Sequence, residues 1–273
     1  MKIMVTSDLH GNTWKYKKLY QEACKVRPDV VINVGDMYPN DGNNLYRQKE
    51  YIENQINEHF YAFNKSGMYY LCFPGNDDLM TFDGLFQEVC DRYPYVKNIA
   101  QRKVQILGYD YIGMNFCCDY PFMLKDRCRK DTEDREIGFQ KGTALHSTET
   151  GLKEISNWKK YVSTLPTIEE ELEKLERPAD MRKAIYVTHM PPCNLELDVC
   201  INKERVGSEA VYFFIRDNQP LLTLHGHIHE SPAMTGCWKA QLDSTICIQA
   251  GQTDDLVYVV VDTSTMQCER VSV

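Results

Sequence analysis

The chain has 273 residues, 43% of them hydrophobic, with 31 basic against 39 acidic side chains and a formal charge of −8. That length and apolar share support a sizeable core in one large domain or two small ones, and no apolar run is long enough to read as a membrane span. The acidic balance offers no basic footprint and argues against a nucleic-acid partner.

From the N-terminus, 2–7 is apolar and β-branched and predicts a strand. The run 13–27 carries Trp14, Leu19, Ala23 and Val26 on a mixed helical face and is stopped by Pro28. A strand at 29–34, a helix at 45–63 with Tyr51, Ile52, Ile56 and Phe60 along one side, a strand at 68–73 and a helix at 82–93 follow. Residues 104–116 read as a strand pair turned at Tyr109-Asp110. Beyond a charged stretch, 121–131, a helix is predicted through Leu152, Ile155, Trp158 and Val162. The next helix opens on a capping box of Thr167 and Glu170, with Ile168, Leu172 and Leu175 on one face. A strand at 184–188, a helix at 208–218 capped by Ser208 and a strand at 221–224 come next. Strands at 244–249, 256–261 and 267–271 close the chain with the spacing of antiparallel hairpins. Continuous apolar runs suit strands buried on both faces. Their alternation with helices predicts an α/β fold with parallel strands. Such sheets gather ligands beyond the carboxyl ends of the strands.

Five polar motifs sit at those ends: Asp8-Leu9-His10, Gly35-Asp36, Gly75-Asn76-Asp77-Asp78, Thr188-His189 and Gly226-His227-Ile228-His229. Residues two apart in extended backbone point the same way, so Asp8 with His10, and His227 with His229, can each face one cavity. The two oxygens of Asp36 can bridge two cations. Asn76 adds a neutral amide oxygen, and His189 leaves its strand into the rigid Met190-Pro191-Pro192. Asp8, His10, Asp36, Asn76, His189, His227 and His229 therefore make a mixed nitrogen–oxygen set for two divalent metal ions. That set suits Mn, Fe, Zn, Co or Ni, with Mn favoured. Two such ions can generate hydroxide at neutral pH and clamp a phosphoryl group. Singly, each motif has a plainer reading. Asp-x-His and Gly-Asp are common turns, Asp77 or Asp78 can cap a helix, His189 can be a core histidine, and His-x-His can be a solvated turn. Their order and shared strand-end placement decide for the metal site.

In that order, from Asp8 to His229, the motifs resemble the calcineurin-like metallophosphoesterase superfamily, with its D-x-H, GD, GN, H and GH-x-H pattern. The resemblance implies a four-layer α-β-β-α sandwich of two mixed β-sheets flanked by helices. It implies one metal on Asp8, His10, Asp36 and His229, and the other on Asp36, Asn76, His189 and His227. It further implies hydrolysis of a small-molecule phosphoester by a hydroxide bridging the ions, with Asn76, Asp77 and His189 as candidate catalytic residues. Many family members place a substrate-contacting histidine after Gly-Asn, where this chain has Asp77. A carboxyl of reference pKa about 3.9 donates no proton at neutral pH unless burial or a like charge raises it. A good leaving group, a water-mediated proton or acid help from elsewhere is then expected, with His225 a candidate by position. The Ser/Thr phosphatases' arginine and substrate histidine are also missing, since Gly35-Asp36 runs on as Met37-Tyr38-Pro39. A phosphodiesterase is the leading reading. The alternatives are a phosphomonoesterase, and a metal-binding interaction scaffold without hydrolytic activity.

Ligands drawn from both ends of the chain point to a single domain over 1–273, with a family-specific insertion at about 117–182. There, 121–131 reads either as a solvated loop or as a lid bringing Arg127 or Arg129 to a substrate phosphate. The insertion is expected to set substrate choice or to form a homo-oligomer contact. Eleven irregularly spaced cysteines indicate reduced thiols, and adjacent Cys117-Cys118 reads as a strand-end accident before a redox pair. The chain starts on a strand with no signal peptide visible, so a cytoplasmic location is expected.

Overall fold

In the computed structural model, which describes residues 1–41, 46–118 and 120–273, the apolar runs become strands of two six-stranded sheets. The first half of the chain gives β1 (Lys2–Thr6), α1 (Thr13–Val26), β2 (Val30–Asn33), α2 (Arg47–Tyr51), α3 (Asn57–Ser66), β3 (Tyr69–Cys72), α4 (Asp83–Asp91), β4 (Val96–Asn98), β5 (Lys103–Ile106) and β6 (Tyr109–Met114). A π-helical turn, Ile52–Ile56, joins α2 to α3. The middle gives β7 (Cys117–Cys118), β8 (Cys128–Arg129), β9 (Leu145–Thr148), β10 (Gly151–Glu154), α5 (Trp158–Val162) and α6 (Ile168–Lys174). The last third gives β11 (Ala184–Thr188), α7 (Glu209–Asn218), β12 (Leu222–His225), α8 (Ser231–Thr235), β13 (Lys239–Leu242), β14 (Thr245–Gln249), β15 (Val257–Asp262) and β16 (Gln267–Ser272).

One sheet runs β16-β15-β1-β2-β3-β4 and the other β13-β14-β12-β11-β6-β5. In the first, β1 to β4 are parallel, and β15 and β16 add antiparallel strands. In the second, β6, β11, β12 and β14 are parallel, with β5 and β13 antiparallel at the edges. Strand alternation sends every second side chain to each face. Ile3, Val5, Ile32 and Leu71 thus meet Ile185, Val187, Leu224 and Ile248 between the sheets. On the outer face of the first sheet, Met4, Val31 and Tyr70 pack with Leu19, Phe60, Phe63 and Phe86. On that of the second, Ile112, Tyr186 and Cys247 pack with Trp158, Leu172, Val211 and Ile215. This is the four-layer sandwich that the resemblance implied.

Three local expectations are corrected. The β5–β6 hairpin turns at Leu107-Gly108, with φ of 51° and 81°, one residue pair before the expected Tyr109-Asp110. Two consecutive left-handed residues make the two-residue turn that suits strand twist, and glycine is at home there. Leu152 belongs to β10, paired with β9, so the expected helix shrinks to α5, which Asn157 caps through the Lys160 amide at 3.0 Å. The strand at 244–249 does not pair with its successor. As β14 it lies in the other sheet, between β12 and β13. The helix expected at 45–63 is described from Arg47, its start at position 45 lying outside the described residues. The capping box at Thr167 and Glu170 is present with both bonds.

His59 on α3 is buried with its ring against Tyr16, Phe63 and Tyr70, at centroid distances of 4.8, 4.8 and 5.0 Å, and its Nε2 has no hydrogen-bond partner. Burial pushes its pKa down to about 3. Below about pH 6.5 the unfolded chain binds a proton here that the folded chain refuses, so stability is lost as pH falls through the window from 6.5 to 3. Urea unfolding at pH 7 and pH 5 is expected to show about 2 kcal/mol of this loss, absent in His59→Phe. Equal losses in the two proteins would refute it.

Candidate metal centre

The loops that follow β1, β2, β3, β11 and β12 converge. The Asp8 amide donates to the Gly35 carbonyl at 3.0 Å and the His10 amide to the Asp36 carbonyl at 2.9 Å, lacing the first two loops together. The third joins through Gly75, where any Cβ would collide with the Asp36 amide and carboxylate, so only glycine allows the approach. Asp78 locks the arrangement. Fully buried, it accepts the amides of Met37 (2.8 Å), Tyr38 (2.8 Å) and Gly75 (2.7 Å). From the second sheet, the His227 amide donates to Asp8 Oδ1 at 3.0 Å. Asp8, His10, Asp36 and His227 all have left-handed backbone, with φ of 55°, 43°, 49° and 67°. Each costs on the order of 1–3 kcal/mol, strain of the kind that clusters at functional sites.

Within this frame, His189 Nδ1 lies 2.5 Å from the Val34 carbonyl. A carbonyl only accepts, so Nδ1 carries the proton and a neutral ring leaves a lone pair on Nε2. That lone pair faces Asn76 Oδ1 at 2.9 Å and Asp36 Oδ2 at 3.4 Å. His227 Nδ1 meets the same Asn76 Oδ1 at 2.6 Å. Asn76 Nδ2 donates to Asp77 Oδ1 at 3.0 Å, which assigns Oδ1 to the histidine side. With a neutral His189, acceptor faces acceptor, and either a proton or a cation must lie between. Burial works against a charged His189, yet the Asp36 carboxylate overcomes it and raises the pKa to about 9. Burial opposes ionisation of Asp36 too, and His189 more than offsets that and lowers its pKa. His227 is pushed down to about 3, first by burial and then by His189.

Donor atoms of Asp8, His10 and Asp36 form a second group, all within 4.8 Å of one another. Asp8 Oδ2 and His10 Nδ1 are buried atoms with no hydrogen-bond partner. Orphaned polar atoms beside a carboxylate are what a divalent cation would satisfy. The residues present thus fit two cations, with Asp36 between the groups. His229 stands at the rim beside His10, ring centroids 5.8 Å apart, its side chain 42% exposed.

Asp77 accepts Asn40 Nδ2 at 2.5 Å as well as the Asn76 amide, and it lies 3.7 Å from His10 Nδ1. Burial, then Asp36, raises its pKa to about 6. His225, a candidate acid by position, is fully buried, with Nδ1 2.9 Å from Thr188 Oγ1 and Nε2 2.9 Å from Thr223 Oγ1. Burial pushes it down to about 3, so it serves the sheet and supplies no proton. The geometry at Arg127 and Arg129, both buried, differs from the solvated loop and from the lid alike. Arg127, 2% exposed, donates from Nε to the Gly75 carbonyl at 2.8 Å and from both terminal nitrogens to Asp83. Arg129 stacks 3.9 Å over the Phe116 ring and donates to the Cys128 carbonyl. A guanidinium committed in this way supports loops. Sequence reading missed three participants: the Asp78 clamp, Gln249, whose Nε2 holds the Gly226 carbonyl at 2.5 Å, and Cys117, whose sulfur joins His189 and His227 within 4.8 Å. A strand-end Asp-Asp and a Cys-Cys carry no spacing signal that separates these roles from a helix cap and a core thiol.

The chain belongs to the calcineurin-like phosphoesterase family, which it matches over residues 1–231. The family is one of metal-dependent phosphoester hydrolases, and it implies a dinuclear divalent metal centre. No curated protein matches the chain by sequence. One solved structure, 15% identical, aligns over 99% of this chain and 98% of its own with a TM-score of 0.64. The protein TT1561 of Thermus thermophilus is 16% identical and aligns over 99% of this chain and 98% of its own, with a TM-score of 0.60. At such identities the likeness is one of fold.

Proposed function

We propose that the chain hydrolyses a small phosphodiester with two divalent cations held by Asp8, His10, Asp36, Asn76, His189, His227 and His229. The observation that carries this is His189 Nε2 placed against Asn76 Oδ1 and Asp36 Oδ2 while its Nδ1 is held by the Val34 carbonyl. Two divalent ions at such a site supply Lewis acidity to phosphoryl oxygens and lower the pKa of water. The chain's own residues do the holding. Val34 fixes the His189 tautomer, Asp78 locks two loops, and Asp77 turns Asn76 Oδ1 toward the histidines.

The adjoining cavity, about 530 Å³, is lined by Asp8, His10, Lys15, His229, Glu230 and Asp254 among others. That volume suits a small molecule. The one lysine among its described lining residues, Lys15, donates to Gln252 Oε1 at 3.2 Å and to the Thr253 carbonyl at 2.5 Å. An acidic rim with its lysine committed repels a dianionic monoester more than a monoanionic diester. With matched chromogenic esters and manganese, the diester is expected to turn over faster. A faster monoester makes the protein a phosphomonoesterase. Hydrolysis of neither by metal-loaded protein makes it a scaffold.

Asp77→Ala is expected to lower turnover about tenfold while leaving metal content intact, the size of effect seen when a ligand loses its orienting partner. Loss of both metals on elemental analysis would make Asp77 a ligand instead.

Manganese as the native metal, a cytoplasmic setting and a single domain with an insertion at about 117–182 belong to the same proposal. No helix among the described residues is long and apolar enough to cross a membrane. Phe122, Met123 and Phe139 are exposed on the insertion and mark it as a candidate contact between copies.

A further inference from the structure

β7 puts its two cysteines on opposite faces, as strand alternation requires. Cys118 turns away and donates to Asp131 Oδ1 at 3.2 Å. Cys117, fully buried, faces the centre: its sulfur lies 4.0 Å from Asn76 Oδ1 and within 4.8 Å of a ring nitrogen of both His189 and His227. Its amide is held by the Arg127 carbonyl at 3.0 Å, so the strand presents the sulfur from a fixed backbone.

A buried cysteine packed among aliphatic side chains is an ordinary small hydrophobe. Cys117 packs into the core beside Ile112 and Met114, yet its sulfur also faces an amide oxygen and two imidazoles. A cation about 2.0 Å from nitrogen and about 2.3 Å from sulfur holds those ligands no more than about 4.3 Å apart, so small side-chain movements close the cluster.

We infer that Cys117 is a sulfur ligand, completing with the shared Asp36 and with Asn76, His189 and His227 a nitrogen–oxygen–sulfur subsite that takes zinc or cobalt in preference to manganese. This rests on the dinuclear reading above. On binding, the S–H bond breaks as the sulfur–metal bond forms, and the proton leaves to solvent. Soft sulfur donors strengthen the general preference for zinc over manganese, whereas the Asp8, His10 and Asp36 group is harder and adds less to it. The two subsites then differ in metal preference: the manganese proposed above fits the Asp8, His10 and Asp36 group, and zinc or cobalt the one that holds Cys117.

Chelator-stripped protein titrated with cobalt(II) tests this. The wild type is expected to bind two ions and to develop a near-ultraviolet sulfur-to-cobalt charge-transfer band. Cys117→Ser and Cys117→Ala are expected to lack the band, and their zinc-over-manganese preference, read by competition and elemental analysis, to fall at least about tenfold. Two bound cobalt ions without the band in the wild type overturn the assignment of Cys117 alone and leave the dinuclear centre standing. No bound cobalt overturns both. Absence of the band in the wild type overturns the assignment even if a variant fails to fold, and either variant that folds assigns a band that is present.

Discussion

Asp36→Asn is expected to empty both metal positions and to lower phosphoesterase turnover by about 10³-fold or more. The magnitude follows from the metals' share of transition-state stabilisation, several kcal/mol, at about 1.4 kcal/mol per decade of rate. Asp36 is the residue that reaches both donor groups. Its Oδ2 faces His189, its donor atoms cluster with those of Asp8 and His10, and its Oδ1 receives the Asp77 amide at 2.9 Å. An amide in its place keeps the shape, removes the shared negative charge and sets an N–H against ligands that need an acceptor. Elemental analysis after gel filtration, with the diester assay on the same sample, checks it. A variant that keeps two metals and substantial activity would end the assignment.

Asp78→Ala is expected to show its largest effect in stability, lowering it by about 4 kcal/mol. A buried amide left without its acceptor costs about 1–3 kcal/mol, and three, those of Met37, Tyr38 and Gly75, lose theirs together. Burial, and then the nearby Asp36, raise the Asp78 pKa to about 7 against the pull of those amides. Thermal unfolding with chelator present removes the metals' own contribution. A fall of roughly 10 °C is expected for a chain of this size. An unchanged melting temperature would show that the two loops hold their places without the clamp.

Much of this was legible in the residues. Runs such as 184–188 read as strands because both faces are buried and no polar residue interrupts them. The five motifs read as a site because each follows such a run. What escaped did so for physical reasons. β13 alternates exposed and half-buried side chains at a sheet edge, so no apolar run marks it. The Leu107-Gly108 turn places a leucine in left-handed backbone, which its type does not announce. β10 was hidden because Leu152, Ile155 and Trp158 have spacing that also fits a helix, while Gly151, at φ 135°, begins a strand. Arg127 and Arg129 sit in a charged stretch that reads as a surface loop, yet Asp83, the Gly75 carbonyl and the Phe116 ring draw them inside. Asp77 and Asp78 are equivalent in the sequence. Only the fold sends one to Asn76 and the other to three backbone amides.

The most direct test is anomalous X-ray diffraction from crystals of the metal-loaded protein. Two peaks are expected on either side of the Asp36 carboxylate, one beside Asp8 and His10, the other beside Asn76, His189 and His227. A single peak, or peaks away from Asp36, would contradict the shared-carboxylate centre.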